Sequence, residues 1–125
     1  MKVRFDSGAL VLTFCALYSC RSVQPPVARE ALVGSYVYKS EDPEGTATDH
    51  TWDRLVLQAD GRYDLIEGGP TKPKSETVGA WTTEPSEASG QVVVLGNAGY
   101  PVRVEGSDVR LLIDDDVGIW YQKVR

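Results

Sequence analysis

The segment Asp53-Arg54-Leu55-Val56-Leu57-Gln58-Ala59-Asp60-Gly61-Arg62-Tyr63-Asp64-Leu65 alternates apolar and polar residues on both sides of Ala59-Asp60-Gly61. A period of two is that of a β-strand with one buried face. A three-residue connection ending in Gly suits a type I turn followed by a bulge with Gly in the left-handed region. That register sets Leu57 opposite Tyr63 and Leu55 opposite Leu65, with all four on one face. A two-residue loop would put Asp64 opposite Leu57 and scatter the apolar set, so the pattern selects the bulge.

Two more hairpins follow the same logic. Tyr100–Glu105 and Asp108–Ile113 flank Gly106-Ser107, a pair suited to a type II′ turn. This predicts Val104 opposite Val109, Val102 opposite Leu111 and Tyr100 opposite Ile113. Asp114–Gly118 then lead into Ile119-Trp120-Tyr121. Here Ile113 is expected to face Ile119 and Leu111 to face Tyr121 on the core side, with Leu112 and Trp120 paired on the other. With strands over Val33–Lys39, Val78–Thr83 and Gln91–Leu95, the chain reads as all-β: an antiparallel up-and-down meander of about eight strands. A meander of that size hides its edges by closing into a small barrel.

The chain has 125 residues, 13 Lys and Arg against 18 Asp and Glu, and 42% hydrophobic residues. It is long enough for one small domain, and its mixture excludes collagen-like, coiled-coil and disordered classes. A net charge of -5 argues against nucleic acid as a partner, since phosphate binding calls for a basic stripe.

The first residues read as an address. Lys2 and Arg4 form a positive end, and Gly8–Tyr18 is an apolar run of secretory-signal length, short of the roughly 20 residues of a membrane span. The run closes on Leu17-Tyr18-Ser19-Cys20, which resembles the lipobox of bacterial lipoproteins with Cys20 as the lipidated residue, a palmitate-type acyl anchor. A conventional secretory signal with an incidental Cys20 is the alternative. Residue 21 is Arg, and by resemblance to the lipoprotein sorting rule this implies the outer membrane, facing the periplasm. The expected organisation is a signal peptide over 1–19, a lipidated Cys and extended tether over 20–31, and a barrel domain over 32–125. Loss of Lys2, Arg4 and Asp6 leaves 11 basic against 17 acidic side chains. It also leaves Cys20 as the one cysteine, so the processed domain has no thiol for catalysis or metal ligation.

Gly34-Ser35-Tyr36, Leu55-x-Leu57-x-x-Asp60-Gly61-x-Tyr63, Gly79-Ala80-Trp81 and the closing Ile119-Trp120-Tyr121-Gln122-Lys123 together resemble the small lipocalin-like barrels of bacterial envelope lipoproteins. The N-terminal domain of copper-resistance lipoproteins is one of these. The resemblance implies a fold and a compartment. That family carries Cys-x-x-Cys after its first strand where this chain has Glu41-Asp42-Pro43-Glu44-Gly45, so no copper or redox role is implied.

No catalytic constellation can be assembled. Asp49-His50-Thr51-Trp52-Asp53 offers one imidazole and two carboxylates, too few nitrogen and sulfur ligands for a closed metal site, and it reads as a polar loop. Asp114-Asp115-Asp116 lacks calcium-loop spacing and reads as turn chemistry. His50 has no serine motif to complete a triad. The expectation is a non-enzyme without metal or cofactor. The processed domain has three Trp and five Tyr and no Phe, so every aromatic carries a polar tip. Tyr63, Tyr100 and Tyr121 fall on the core face, where they either pack or line a ligand pocket. Leu112 and Trp120 fall outside, as a partner surface or as a patch covered by Val27–Leu32 folding back. Gly68–Ser75 reads as a mobile polar hairpin tip whose Lys72 and Lys74 suit an anionic envelope polymer.

These features point first to a membrane-anchored envelope lipoprotein acting as an interaction or accessory module with an envelope protein partner. The alternatives are a lipocalin-like carrier of a small apolar or amphipathic ligand and an inhibitor of an envelope-directed hydrolase, which an acidic surface would steer toward a basic target.

Overall fold

The computed structural model describes residues 24–41 and 49–125. The expected signal peptide, the lipobox, Cys20, Arg21 and most of the stretch set against Cys-x-x-Cys lie outside the described residues. Among the described residues a helical turn, α1 (Arg29–Leu32), precedes eight strands: β1 (Gly34–Ser40), β2 (Arg54–Leu57), β3 (Arg62–Gly69), β4 (Lys72–Ser86), β5 (Gly90–Leu95), β6 (Ala98–Glu105), β7 (Asp108–Asp114) and β8 (Ile119–Lys123). Each pairs antiparallel with the next, and β8 returns to β1, which closes the barrel. The small antiparallel up-and-down barrel expected from the sequence is the observed fold.

The first hairpin holds the predicted register, Leu57 against Tyr63 and Leu55 against Leu65. Gly61 sits at φ 93°, in the region that favours glycine. The turn is closed by Gln58 N–H donating to the Arg62 carbonyl at 2.9 Å and by Arg62 N–H donating to the Asp60 carboxylate at 3.0 Å. In the second hairpin Val104 faces Val109 and Val102 faces Leu111, and Gly106 takes φ 63°.

The third hairpin departs from the expectation at one residue. Leu111 faces Tyr121 and Leu112 faces Trp120, but Ile119 pairs with Asp114 across a bulge, not with Ile113. The bulge turns Ile113 off the core face and leaves it 37% exposed. It also takes Ile113 out of the core position expected opposite Tyr100.

The interior is filled by Tyr36, Leu55, Leu57, Tyr63, Trp81, Val93, Leu95, Val102, Val109, Leu111 and Tyr121, with Leu32 at one end. The tether reading changes from Gln24 onward, because the chain there is bound to the barrel. The Gln24 side chain donates to the Val104 carbonyl and accepts from Val104 N–H, both at 2.8 Å, standing in for a strand at that edge. The buried Gln91 amide pairs with Val27 in the same way, at 2.9 and 3.1 Å. Leu32 is fully buried, and its carbonyl accepts from the Tyr36 hydroxyl at 2.6 Å. The Arg29 guanidinium lies 4.1 Å over the Trp81 ring and donates to the Ala59 carbonyl. Residues 24–32 thus stopper the barrel end that carries the β2–β3 turn.

At the opposite end, β4 is long. Lys72–Ala80 pairs with β3, and Trp81–Ser86 pairs with β5. The β3–β4 tip is therefore not the long mobile connection read from Gly68–Ser75: Gly69 pairs directly with Lys72 across two residues.

Candidate functional site

Three places bear on function, and the first is the tyrosine layer at the end opposite the stopper. The core-face tyrosines meet there: Tyr100 and Tyr121 stand edge to face at 6.0 Å, and Tyr38 meets Tyr121 at 6.3 Å. Tyr63 packs its ring over Gly79, where an added Cβ would come within 2.8 Å of the ring. Burial holds the Tyr121 phenol well above its ordinary range, with the Tyr100, Glu67, Asp53 and Tyr38 groups adding to the effect. Tyr100 is raised by burial and then by Glu67 and Tyr63, and Tyr38 by burial and then by Asp53. The phenols therefore stay protonated at neutral pH and act as hydrogen-bond donors, not as bases. Tyr38 and Glu67 join the predicted Tyr63, Tyr100 and Tyr121 in this layer.

The second place is the predicted outer pair, Leu112 and Trp120, which face each other across β7 and β8, half-buried. Val27–Leu32 does not cover them, because that segment packs at the stoppered end. Trp120 is instead dressed by its neighbours. The Arg110 guanidinium lies 4.8 Å from its ring, and its indole N–H donates to Gln122 Oε1 at 3.1 Å. Leu112 borders a 420 Å³ groove with Gln24, Pro101, Arg103 and Asp115. Arg103 and Arg110 face each other on adjacent strands, an unfavourable like-charge pair that the Arg103–Asp115 contact at 3.6 Å partly offsets.

The third place is Trp52, which the sequence reading took only as part of a polar loop. The loop is built around Asp53, 1% exposed. One carboxylate oxygen of Asp53 accepts from Gly68 N–H at 2.8 Å, and the other accepts from His50 Nδ1 at 2.9 Å. The His50 ring in turn stacks on Tyr38 at 4.1 Å and 10°. His50 is thus spent on structure, half-buried between a carboxylate and a phenol ring. Trp52 N–H donates to the Gly68 carbonyl at 2.9 Å, and Thr71 Oγ1 donates to Asp49 at 2.5 Å. Loop and hairpin tip are stitched together at three points, and the His50–Asp53 bond braces the loop itself. Gly68 is needed at this junction, since it takes φ 147° and a Cβ there would lie 3.0 Å from the Lys74 Cα.

The result is a fixed backbone that presents the Trp52 side chain at 46% exposure. Trp52 lines a 530 Å³ groove with Thr51, Arg54, Ile66 and Lys74. It also lines a 340 Å³ groove with Gly69, Pro70, Lys72 and Pro73. Lys72 and Lys74, singled out in the sequence, therefore flank an exposed aromatic ring.

Among the described residues no group of three or more His, Cys, Asp or Glu is disposed to hold a metal ion. No described helix is long and apolar enough to cross a membrane. No protein-family model, curated protein or solved structure matches the chain.

Proposed function

We propose that this chain is a non-enzymatic envelope lipoprotein, anchored through lipid on Cys20, whose barrel serves as an interaction module working through its outer surface. The observation that carries the reading is the contrast between inside and outside. The lumen holds the barrel's own side chains from Leu32 through Leu57 and Leu111 to Tyr121. On the outside, a rigidly held loop presents a half-exposed tryptophan that lines two grooves. Exposed aromatics on fixed backbone are what dominate binding surfaces. Trp52 is the better contact than Trp120, whose ring is already engaged by Arg110 and Gln122.

The anchor and the surface are tested together. The full chain is expected in the envelope fraction of a bacterial host, and Cys20→Ser is expected to release it. Added back to isolated envelopes, the released protein is expected to rebind, and Trp52→Ala to lose that rebinding while Trp120→Ala keeps it. Equal rebinding of wild type and Trp52→Ala contradicts the surface reading.

The second reading, a carrier of a small amphipathic ligand, draws on the tyrosine layer, where Tyr38, Tyr63, Tyr100, Tyr121 and Glu67 gather polar groups at one end of an apolar interior. It ranks second because small eight-stranded barrels of this kind fill readily with their own side chains.

A further inference from the structure

We propose that the Trp52 platform binds an acidic polysaccharide, with the indole stacked on a sugar ring and Arg54, Lys72 and Lys74 pairing with carboxylates or phosphates of the units on either side. This deepens the interaction-module reading and rests on it. Three observations carry the inference.

The first is the shape of the site. The grooves of 530 and 340 Å³ both count Trp52 in their lining, so the two share that residue. A linear chain can lie in both grooves while its middle unit crosses the ring. The C–H face of a sugar is apolar and its rim polar, which matches a ring edged by cations and backbone.

The second is charge. In a chain of net charge -5, the platform carries three cations, and none of them forms an ion pair with a described carboxylate. Among the described residues Arg54 donates to the Asp53 carbonyl, at 3.2 Å. Of the described carboxylates here, Asp49 accepts from Thr71, and Glu76 feels Asp64 more strongly than it feels Lys74. Cations that pair with no described carboxylate, beside an exposed aromatic, suit an anion that brings apolar faces with it.

The third is rigidity. Three hydrogen bonds join the loop to the β3–β4 tip and a fourth, His50 to Asp53, braces the loop itself, so the backbone that carries the ring is fixed before binding and little conformational entropy is lost on stacking. The tip itself, Gly69-Pro70-Thr71, carries no large apolar side chain to insert into a bilayer. This favours a polymer lying across the platform over a lipid surface pressed against it.

The test uses the full chain in nonionic detergent micelles with its three indole N–H groups isotope-labelled. Sodium polygalacturonate is titrated against dextran as the neutral polymer and against vesicles containing phosphatidylglycerol. The Trp52 signal, assigned with Trp52→Phe, is expected to shift saturably with polygalacturonate and not with dextran, while the Trp81 and Trp120 signals stay in place. By affinity electrophoresis, Trp52→Ala and the double variant Lys72→Gln/Lys74→Gln are each expected to weaken binding about tenfold or more, and Trp52→Phe to keep most of it. An unmoved Trp52 signal overturns the proposal, as does Trp52→Ala binding like wild type. A Trp52 shift seen with vesicles alone overturns it in favour of a lipid surface. Envelope rebinding that still depends on Trp52 while polygalacturonate has no effect defeats the polysaccharide but spares the interaction-module reading; loss of both defeats both.

Discussion

Asp53 offers the sharpest test of how the Trp52 loop is built. Its carboxylate is 1% exposed and accepts two hydrogen bonds from different parts of the chain, one from Gly68 N–H at 2.8 Å and one from His50 at 2.9 Å. Asp53→Ala removes both acceptors and leaves the Gly68 N–H buried without a partner. An orphaned buried donor costs about 1–3 kcal/mol, and a hydrogen bond to a charged group is worth about 1.5–3 kcal/mol. These overlap, so a loss of roughly 2–4 kcal/mol is expected. For a domain near 100 residues that is a fall in Tm on the order of 10–20 °C. Asp53→Asn keeps an oxygen for Gly68 and is expected to lose only about 1 kcal/mol. Thermal and urea unfolding of the chain from residue 21 onward, followed by circular dichroism, measure both variants. A loss below about 0.5 kcal/mol for Asp53→Ala, or equal losses for Ala and Asn, refutes the two-acceptor account.

Other perturbations probe other parts. Leu32→Ala, which empties the fully buried position at the stoppered end, is expected to cost about 2–5 kcal/mol in urea unfolding, a large effect for a residue in a one-turn helix. Gly79→Ala sets a methyl 2.8 Å from the Tyr63 ring and is expected to lower Tm and disturb the near-ultraviolet spectrum, whereas Gly99→Ala, with open space at its Cβ, should leave that spectrum intact. The Glu76 carboxyl is raised above its ordinary value of 4.5, first by its hydrogen bond with Asp64 and then by that group's charge. A raised carboxyl binds its proton more tightly in the folded chain, so it favours folding at low pH and turns into repulsion as the pH rises past it. Glu76→Gln is therefore expected to be more stable than wild type at neutral pH, with the gain shrinking on acidification, as read by melts across pH. Alkaline titration by ultraviolet difference absorbance should find Tyr36, Tyr38, Tyr100 and Tyr121 ionising late, with Tyr36 and Tyr121 ionising only as the barrel unfolds.

The barrel was legible wherever apolar alternation met a turn glycine. Leu55, Leu57, Tyr63 and Leu65 fix one another's register because a slip of one residue would expose all of them, and Gly61 marks the turn. The first half of β4 lacked that signal. Its positions on the side of Tyr63 and Leu65 are Ser75, Thr77 and Gly79, so no apolar stripe appears, and Gly79 is small because the Tyr63 ring occupies its place. Ile113 reads as core by alternation, and only the bulge beyond Leu112, which no residue type announces, turns it outward.

Residues 24–31 read as a spacer because their apolar residues are too few to make a period. Their attachment runs through the side-chain amides of Gln24 and Gln91, which imitate strand pairing. The candidate site was half legible. The core-face tyrosines and Lys72 and Lys74 were visible as residue types in a pattern. Trp52 was hidden in a polar run, and the clue to it was long-range: an Asp beside a Trp in one loop and a Gly pair, Gly68-Gly69, in a hairpin far along the chain to receive them.

The central claim is that the barrel's interior belongs to its own side chains and that its work is done on the outside. Mass spectrometry of the full chain, extracted gently from its own kind of cell, tests this most directly when native and denatured masses are compared. Equal masses are the expected result, whatever covalent group the N-terminus carries. A native mass higher by that of a small molecule, lost on denaturation and lost again in Tyr100→Phe/Tyr121→Phe, would contradict the account and place the function inside the barrel.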